Sequence, residues 1–143
     1  MLQRKQSVLI LIVGLASIIM NIVLPVESIF SNKEKMMSFF SEKSLLLSTF
    51  PILVWIVAVI AFMELFLFKN RSLQILLGKV NMLINLYLVG LVAYWSLSVS
   101  GGVYTPEKGI WMFILLLNLC LLAISNKWIK KDDNLVKSVD RIR

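Results

Sequence analysis

Four apolar runs, Val8 to Val26, Leu45 to Phe68, Ile75 to Val99 and Ile110 to Ser125, limit what this chain can fold into more than any other feature. About 20 apolar helical residues cross the hydrocarbon of a bilayer. The two middle runs exceed that length and the first comes close to it. With 59% hydrophobic residues and a mean hydropathy of +0.85, the chain is also more apolar than a soluble domain, in which about half the residues are apolar. The expectation is an all-α membrane protein: one domain of four transmembrane helices, with spans at about 8–26, 45–68, 75–99 and 110–125. An interfacial segment at 27–44 and a tail at 126–143 complete it.

Met1 to Gln6 carries Arg4 and Lys5 ahead of the first run and resembles the basic start of a secretory signal. A signal core is about 7–15 residues long and ends in small residues at the cut. This run is longer and ends Leu24-Pro25-Val26-Glu27, so it reads as an uncleaved helix. Between the first two spans, Ile29, Phe30, Met36, Met37 and Phe40 recur at near-helical spacing. That pattern fits an amphipathic helix in the interface, or equally an apolar loop. Pro51 lies in the early turns of the second span, where a modest kink is tolerated. Tyr94-Trp95 and the pair Trp111 and Trp128 fall near span ends, as an aromatic belt would. In the tail, Trp128, Leu135, Val139 and Ile142 are spaced as one helical face, so the fourth span is expected to continue as a surface helix.

Four spans put the N-terminus, the turn at 69–74 and the tail on one side. That side holds Arg4, Lys5, Lys69, Arg71, Lys79, Lys127, Lys130, Lys131, Lys137, Arg141 and Arg143, eleven cations, against Lys33, Lys35, Lys43 and Lys108, four, on the other. The positive-inside rule then places both termini in the cytoplasm.

The intramembrane polar groups are Glu64, Lys79, Asn81, Asn85 and Asn118. Glu64 and Lys79 flank the basic turn at similar depth and are candidates for an ion pair; Lys69 is a second partner for Glu64. A relay of protons or ions would need further acids or histidines across the bilayer, and Glu64 is the only acid within the spans. Asn81 and Asn85 are one turn apart with Gly78 on the same side, a closely packable polar stripe that Asn118 or Asn21 could meet. Gly14, Ala16 and Ser17 form a small-residue patch on the first span.

The net charge of +7 and pI of about 9.8 would suit nucleic acid. The basic residues, however, stand at the ends of apolar runs and not as a patch on a polar domain, so no nucleic-acid partner is expected. With no histidine and one cysteine, Cys120, inside an apolar run, the chain builds neither a disulfide framework nor a Cys/His metal site. Nor does it hold the groups that nucleophilic catalysis uses. The expectation is a protein without enzymatic activity and without a cofactor.

Several stretches together resemble a known family. The opening Met1-Leu2-Gln3-Arg4-Lys5-Gln6-Ser7, the stretch Ser48-Thr49-Phe50-Pro51, the turn Phe68-Lys69-Asn70-Arg71-Ser72-Leu73-Gln74 and the ending Ile129 to Arg143 are similar, in that order, to motifs of the four-helix inner-membrane proteins of Bacteroidetes known as domain of unknown function 4293. Asp133-Asn134 departs slightly from the family's acidic pair. The resemblance implies topology and compartment, a bacterial inner membrane with both termini inside, and no activity.

Most of those motifs fall on the expected cytoplasmic side. The function expected is therefore an accessory or scaffold subunit that contacts membrane lipid and a cytoplasmic protein partner through Lys69, Asn70, Arg71, Gln74, Lys130, Lys131, Asp132, Asp133, Asp140 and Arg141. The alternative is a small transporter or channel with a polar path at Glu64, Lys79, Asn81 and Asn85. The sequence leaves a homo-oligomer open.

Overall fold

A computed structural model describes residues 5–23, 33–67, 70–98 and 106–140, with side chains for 6–23, 49–67, 70–97, 109–135 and Ser138. The described residues form four helices: α1 (Lys5–Val23), α2 (Lys33–Phe66), α3 (Arg71–Ser98) and α4 (Pro106–Asp140). All four are long and apolar enough to cross a membrane. At a rise of about 1.5 Å per residue, α2 and α4 each reach about 50 Å, well beyond the roughly 30 Å of bilayer hydrocarbon. Residues 33–44 continue the helix of the second span, and α4 runs without a break into the charged tail. Of the interfacial segment expected at 27–44, residues 27–32 lie outside the described residues, as does the loop at 99–105.

Successive helices run antiparallel. The Gln74 side chain donates to the Glu64 carbonyl across the α2–α3 turn, and the Arg71 guanidinium donates to the Asp132 carbonyl between the start of α3 and the end of α4. At the far end the Asn21 amide of α1 donates to the Pro51 carbonyl of α2 at 3.2 Å. α1 packs on α2 and α4, and α3 packs on the same two, so the four helices close a ring. α2 continues through Pro51.

Burial follows the helical repeat. On α3, Gln74, Gly78, Asn81, Asn85, Leu88, Val92 and Trp95 face inward; on α4, Trp111, Leu115, Asn118, Leu122, Ser125 and Ile129 do. Spacings of three and four keep one stripe on one face. The interior divides in two along its length. The half away from the chain's start is apolar: Met20, Phe50, Val54, Val57, Leu88, Val92, Trp95, Trp111 and Leu115 form one cluster. Phe50 sits between the two tryptophans, with ring centroids 5.3 Å from Trp95 and 5.1 Å from Trp111. Each such tilted pair contributes about 0.5–1.5 kcal/mol beyond its buried area. The half nearer the N-terminus mixes a smaller apolar cluster, Ile10, Val13, Ala61, Leu122 and Ile129, with the buried amides.

The outer surface is inverted relative to a soluble bundle. Ile19, Val59, Leu83, Leu97 and Phe113 are all exposed, on every helix. Contiguous apolar surface on that scale marks contact with a membrane or a partner. Trp128 and Tyr94 lie on this surface, as belt aromatics would. Trp95 and Trp111 do not. Both are completely buried around Phe50, in phase with the inward stripes of α3 and α4.

Candidate functional site

Buried polar groups fasten the helices to one another along the half of the bundle that holds the N-terminus. The Ser125 hydroxyl donates to the Gln6 carbonyl at 3.3 Å, and the Gln6 amide donates to the Asp132 carboxylate at 3.3 Å. Arg71 caps that end from α3 through its 2.8 Å bond to the Asp132 carbonyl. Deeper in, the Asn118 amide donates to the Ser17 hydroxyl, which in turn donates to the Val13 carbonyl. Interhelical bonds of this kind average about 0.6 kcal/mol each, enough to choose which helix meets which.

The turn between α2 and α3 is fixed in the same way. The Leu67 N–H bonds the Met63 carbonyl and the Asn70 N–H bonds the Leu67 carbonyl; the Asn70 carbonyl then accepts the first helical bond of α3 from the Gln74 N–H. Asn70 is therefore the N-cap of α3, a position that favours asparagine. Gln74 is buried and bound to the Glu64 carbonyl, so it belongs to the hairpin's own stitching and not to a contact surface.

Glu64 is 1% exposed and points into the bundle. The Asn81 amide hydrogen-bonds its carboxyl and also donates to the Val57 carbonyl of α2 at 3.3 Å. The Asn81 side-chain oxygen accepts from the Asn85 amide at 3.2 Å. Glu64, Asn81 and Asn85 thus make one chain of side chains linking α2 to α3. Its two ends, Glu64 Oε1 and Asn85 Oδ1, are buried without a partner. The expected ion pair with Lys79 is absent: Lys79 is exposed on the outside of α3. Equal depth was not enough, because Lys79 follows Gly78 on the inward stripe and one residue turns a side chain by about 100°. Lys79 therefore lines no internal path. Lys69 lies outside the described residues.

The stripe of Gly78, Asn81 and Asn85 faces inward, and each of its members meets a different neighbour. Gly78 lies against Asn126 of α4, so close that a Cβ there would be 2.7 Å from Asn126 Nδ2 and 2.8 Å from Cγ. The Asn126 amide reaches the Met82 sulfur at 3.4 Å. Asn118 meets α1 and Asn21 meets α2. On α1, Gly14 faces the Phe62 ring, which a Cβ at that position would meet at 3.3 Å. The Gln6–Asp132–Arg71 fastening and the Gly78–Asn126 contact were not anticipated. The signal for the second was there: Asn126 follows Leu122 and Ser125 on one face of α4.

Of the residues expected to contact a partner, Asn70, Lys130 and Lys131 are exposed. Arg71 and Asp132 are half-buried and committed to the bundle; Asp133 is half-buried and also engaged. Arg141 and the Asp140 side chain lie outside the described residues. The face that α4 leaves open is lined by Lys127, Trp128, Lys130, Lys131, Asn134 and Leu135, around a groove of about 620 Å³. Among the described residues no cluster of three metal-binding side chains occurs. Cys120 is an exposed free thiol on the outer face.

A ring of four apolar antiparallel helices, stitched by buried amides and exposing leucine, isoleucine and phenylalanine outward, defines an all-helical protein whose helices can span a membrane. The chain belongs to the family described as Domain of unknown function (DUF4293), which matches residues 2–142. No curated protein and no solved structure matches it.

Proposed function

We propose that the chain is a non-enzymatic accessory subunit of a bacterial inner membrane, with both termini in the cytoplasm, that docks a protein partner on the open face of α4. The observation that carries this reading is the division of polar groups between inside and outside. Inside, they are spent on joining helices. Outside, at the end that holds the N-terminus, Trp128 and Leu135 sit among Lys130, Lys131 and Asn134 on a helix that outruns the hydrocarbon. An aromatic beside cations on a helix projecting from the membrane suits an acidic partner helix. The cation excess of that side supports the orientation.

The second reading, a small transporter, draws on Glu64 Oε1, a carboxylate oxygen buried without a partner. Against it stand the Phe50, Trp95 and Trp111 rings, which fill the interior beyond the polar half. Two changes separate the readings. The triple change Trp128→Ala, Lys131→Glu and Leu135→Ala, at positions all exposed on the open face of α4, is expected to abolish co-purification of a stoichiometric partner from detergent-solubilised membranes. Glu64→Gln is expected to leave capture intact, and proteoliposomes of either the parent or Glu64→Gln are expected to show no proton or sodium flux. Flux that Glu64→Gln removes, from protein that still inserts, would overturn the docking reading in favour of transport.

A further inference from the structure

Lys79 is the one charged side chain that the described spans place on the outer face well inside an apolar stretch. It lies eight residues beyond Arg71, about 12 Å along α3. A cation there is costly and calls for a compensating charge. None is supplied by Glu64, which faces the interior.

The register of α3 against α4 shows what surrounds it. Gly78 and Asn126 face each other across the seam between these antiparallel helices. In two facing antiparallel right-handed helices, the residues that follow the facing pair turn to the same side. Here they are Lys79 and Lys127. That side is the outer one, since the stripe of Asn81 and Asn85 turns the other way, and both lysines are exposed. They differ in depth by about two residues, about 3 Å. Lys130 follows one turn toward the charged end on the same flank of α4 and is also exposed. Deeper along the seam the exposed residues are Ala123, then Leu86 of α3 and Leu116 of α4. Ala123 is the smallest of these and stands nearest the lysines, with the two leucines deeper on either side of the seam.

We propose that the outer α3–α4 seam is a binding site for one anionic phospholipid. Its phosphate is held by Lys79 and Lys127 with Lys130 at the rim, and an acyl chain lies over Ala123 between Leu86 and Leu116. The lysine stems run up the apolar seam and carry their ammonium groups to headgroup level, as long cationic side chains do in membranes. Two ammonium groups on neighbouring helices then share one phosphate. The site shares Lys127 and Lys130 with the open face of α4, but it also requires Lys79 of α3, which the docking face does not use, so Lys79→Gln separates the two proposals.

The test is native mass spectrometry of the full chain released from mixed micelles of phosphatidylglycerol and phosphatidylcholine in equal amounts. One phosphatidylglycerol is expected to be retained preferentially. Lys79→Gln and Lys127→Gln are each expected to weaken retention about fivefold, the effect of one lysine at an anionic surface. Lys131→Gln, which removes a lysine about 9 Å along the seam from Lys79 and turned about 40° further outward than Lys127, is expected to weaken it less. Lys79→Arg with Lys127→Arg should keep the preference, which guards against a loss caused by misfolding. Equal retention of the two lipids by the parent protein would overturn the proposal. So would a loss as large in Lys131→Gln as in Lys79→Gln, because that would reflect general surface charge.

Discussion

Gly78→Val is expected to separate α3 from α4. The Cβ alone would run into Asn126 Oδ1 and sit 2.7 Å from Nδ2 and 2.8 Å from Cγ, inside any ordinary contact, and the valine methyls add bulk on the same side. Asn126 has little room to give, since its amide is engaged with the Met82 sulfur and its oxygen is buried. Overpacking of this kind costs about 1–3 kcal/mol. Thermal unfolding of the purified protein in detergent, followed by circular dichroism, should show a large fall in midpoint. Asn126→Gly in the same chain is expected to recover most of it, because it empties the space the valine needs. If it recovers nothing, the close approach of the two helices is not what Gly78 provides.

Trp95→Ala is expected to have the other large effect. Trp95 is completely buried and packs on Phe50, which packs in turn on Trp111. Truncating an enclosed tryptophan costs about 3–5 kcal/mol through lost contacts and the cavity left behind. In a bilayer the transfer part of that cost shrinks, because lipid is as apolar as the core, but the lost packing remains. Trp55→Ala is the control. Trp55 is exposed on the outer face of α2, and its removal should move the midpoint little. Equal losses at the two positions would contradict the burial of Trp95.

The number of helices and the hairpin at 69–74 were legible because run length alone states them. The inward stripe of Gly78, Asn81 and Asn85 was legible from its spacing. Which helix each amide meets was not, because the sliding of one helix along another is fixed by contacts between residues distant in sequence, such as Asn126 with Gly78. Lys79 and Glu64 were paired on depth, and the missing quantity was angle. The place of Trp95 and Trp111 near span ends points to an aromatic belt. Their phase with Leu88 and Val92, and with Leu115 and Asn118, carried the opposite answer and was available in the sequence. Gln74 illustrates the same point. It stands in a basic, exposed-looking turn, yet it is one helical turn before Gly78 and is buried with it.

Docking on α4 is tested most directly by photocrosslinking within intact membranes. A crosslinking residue at Lys131 lies on the open face of α4, and one at Leu83 lies on the apolar outer face of α3. The account predicts a single protein adduct of defined mass from position 131, none from position 83, and loss of the adduct when an acidic competitor peptide is added. Adducts to lipid alone at both positions, or the same protein adducts at both, would contradict it.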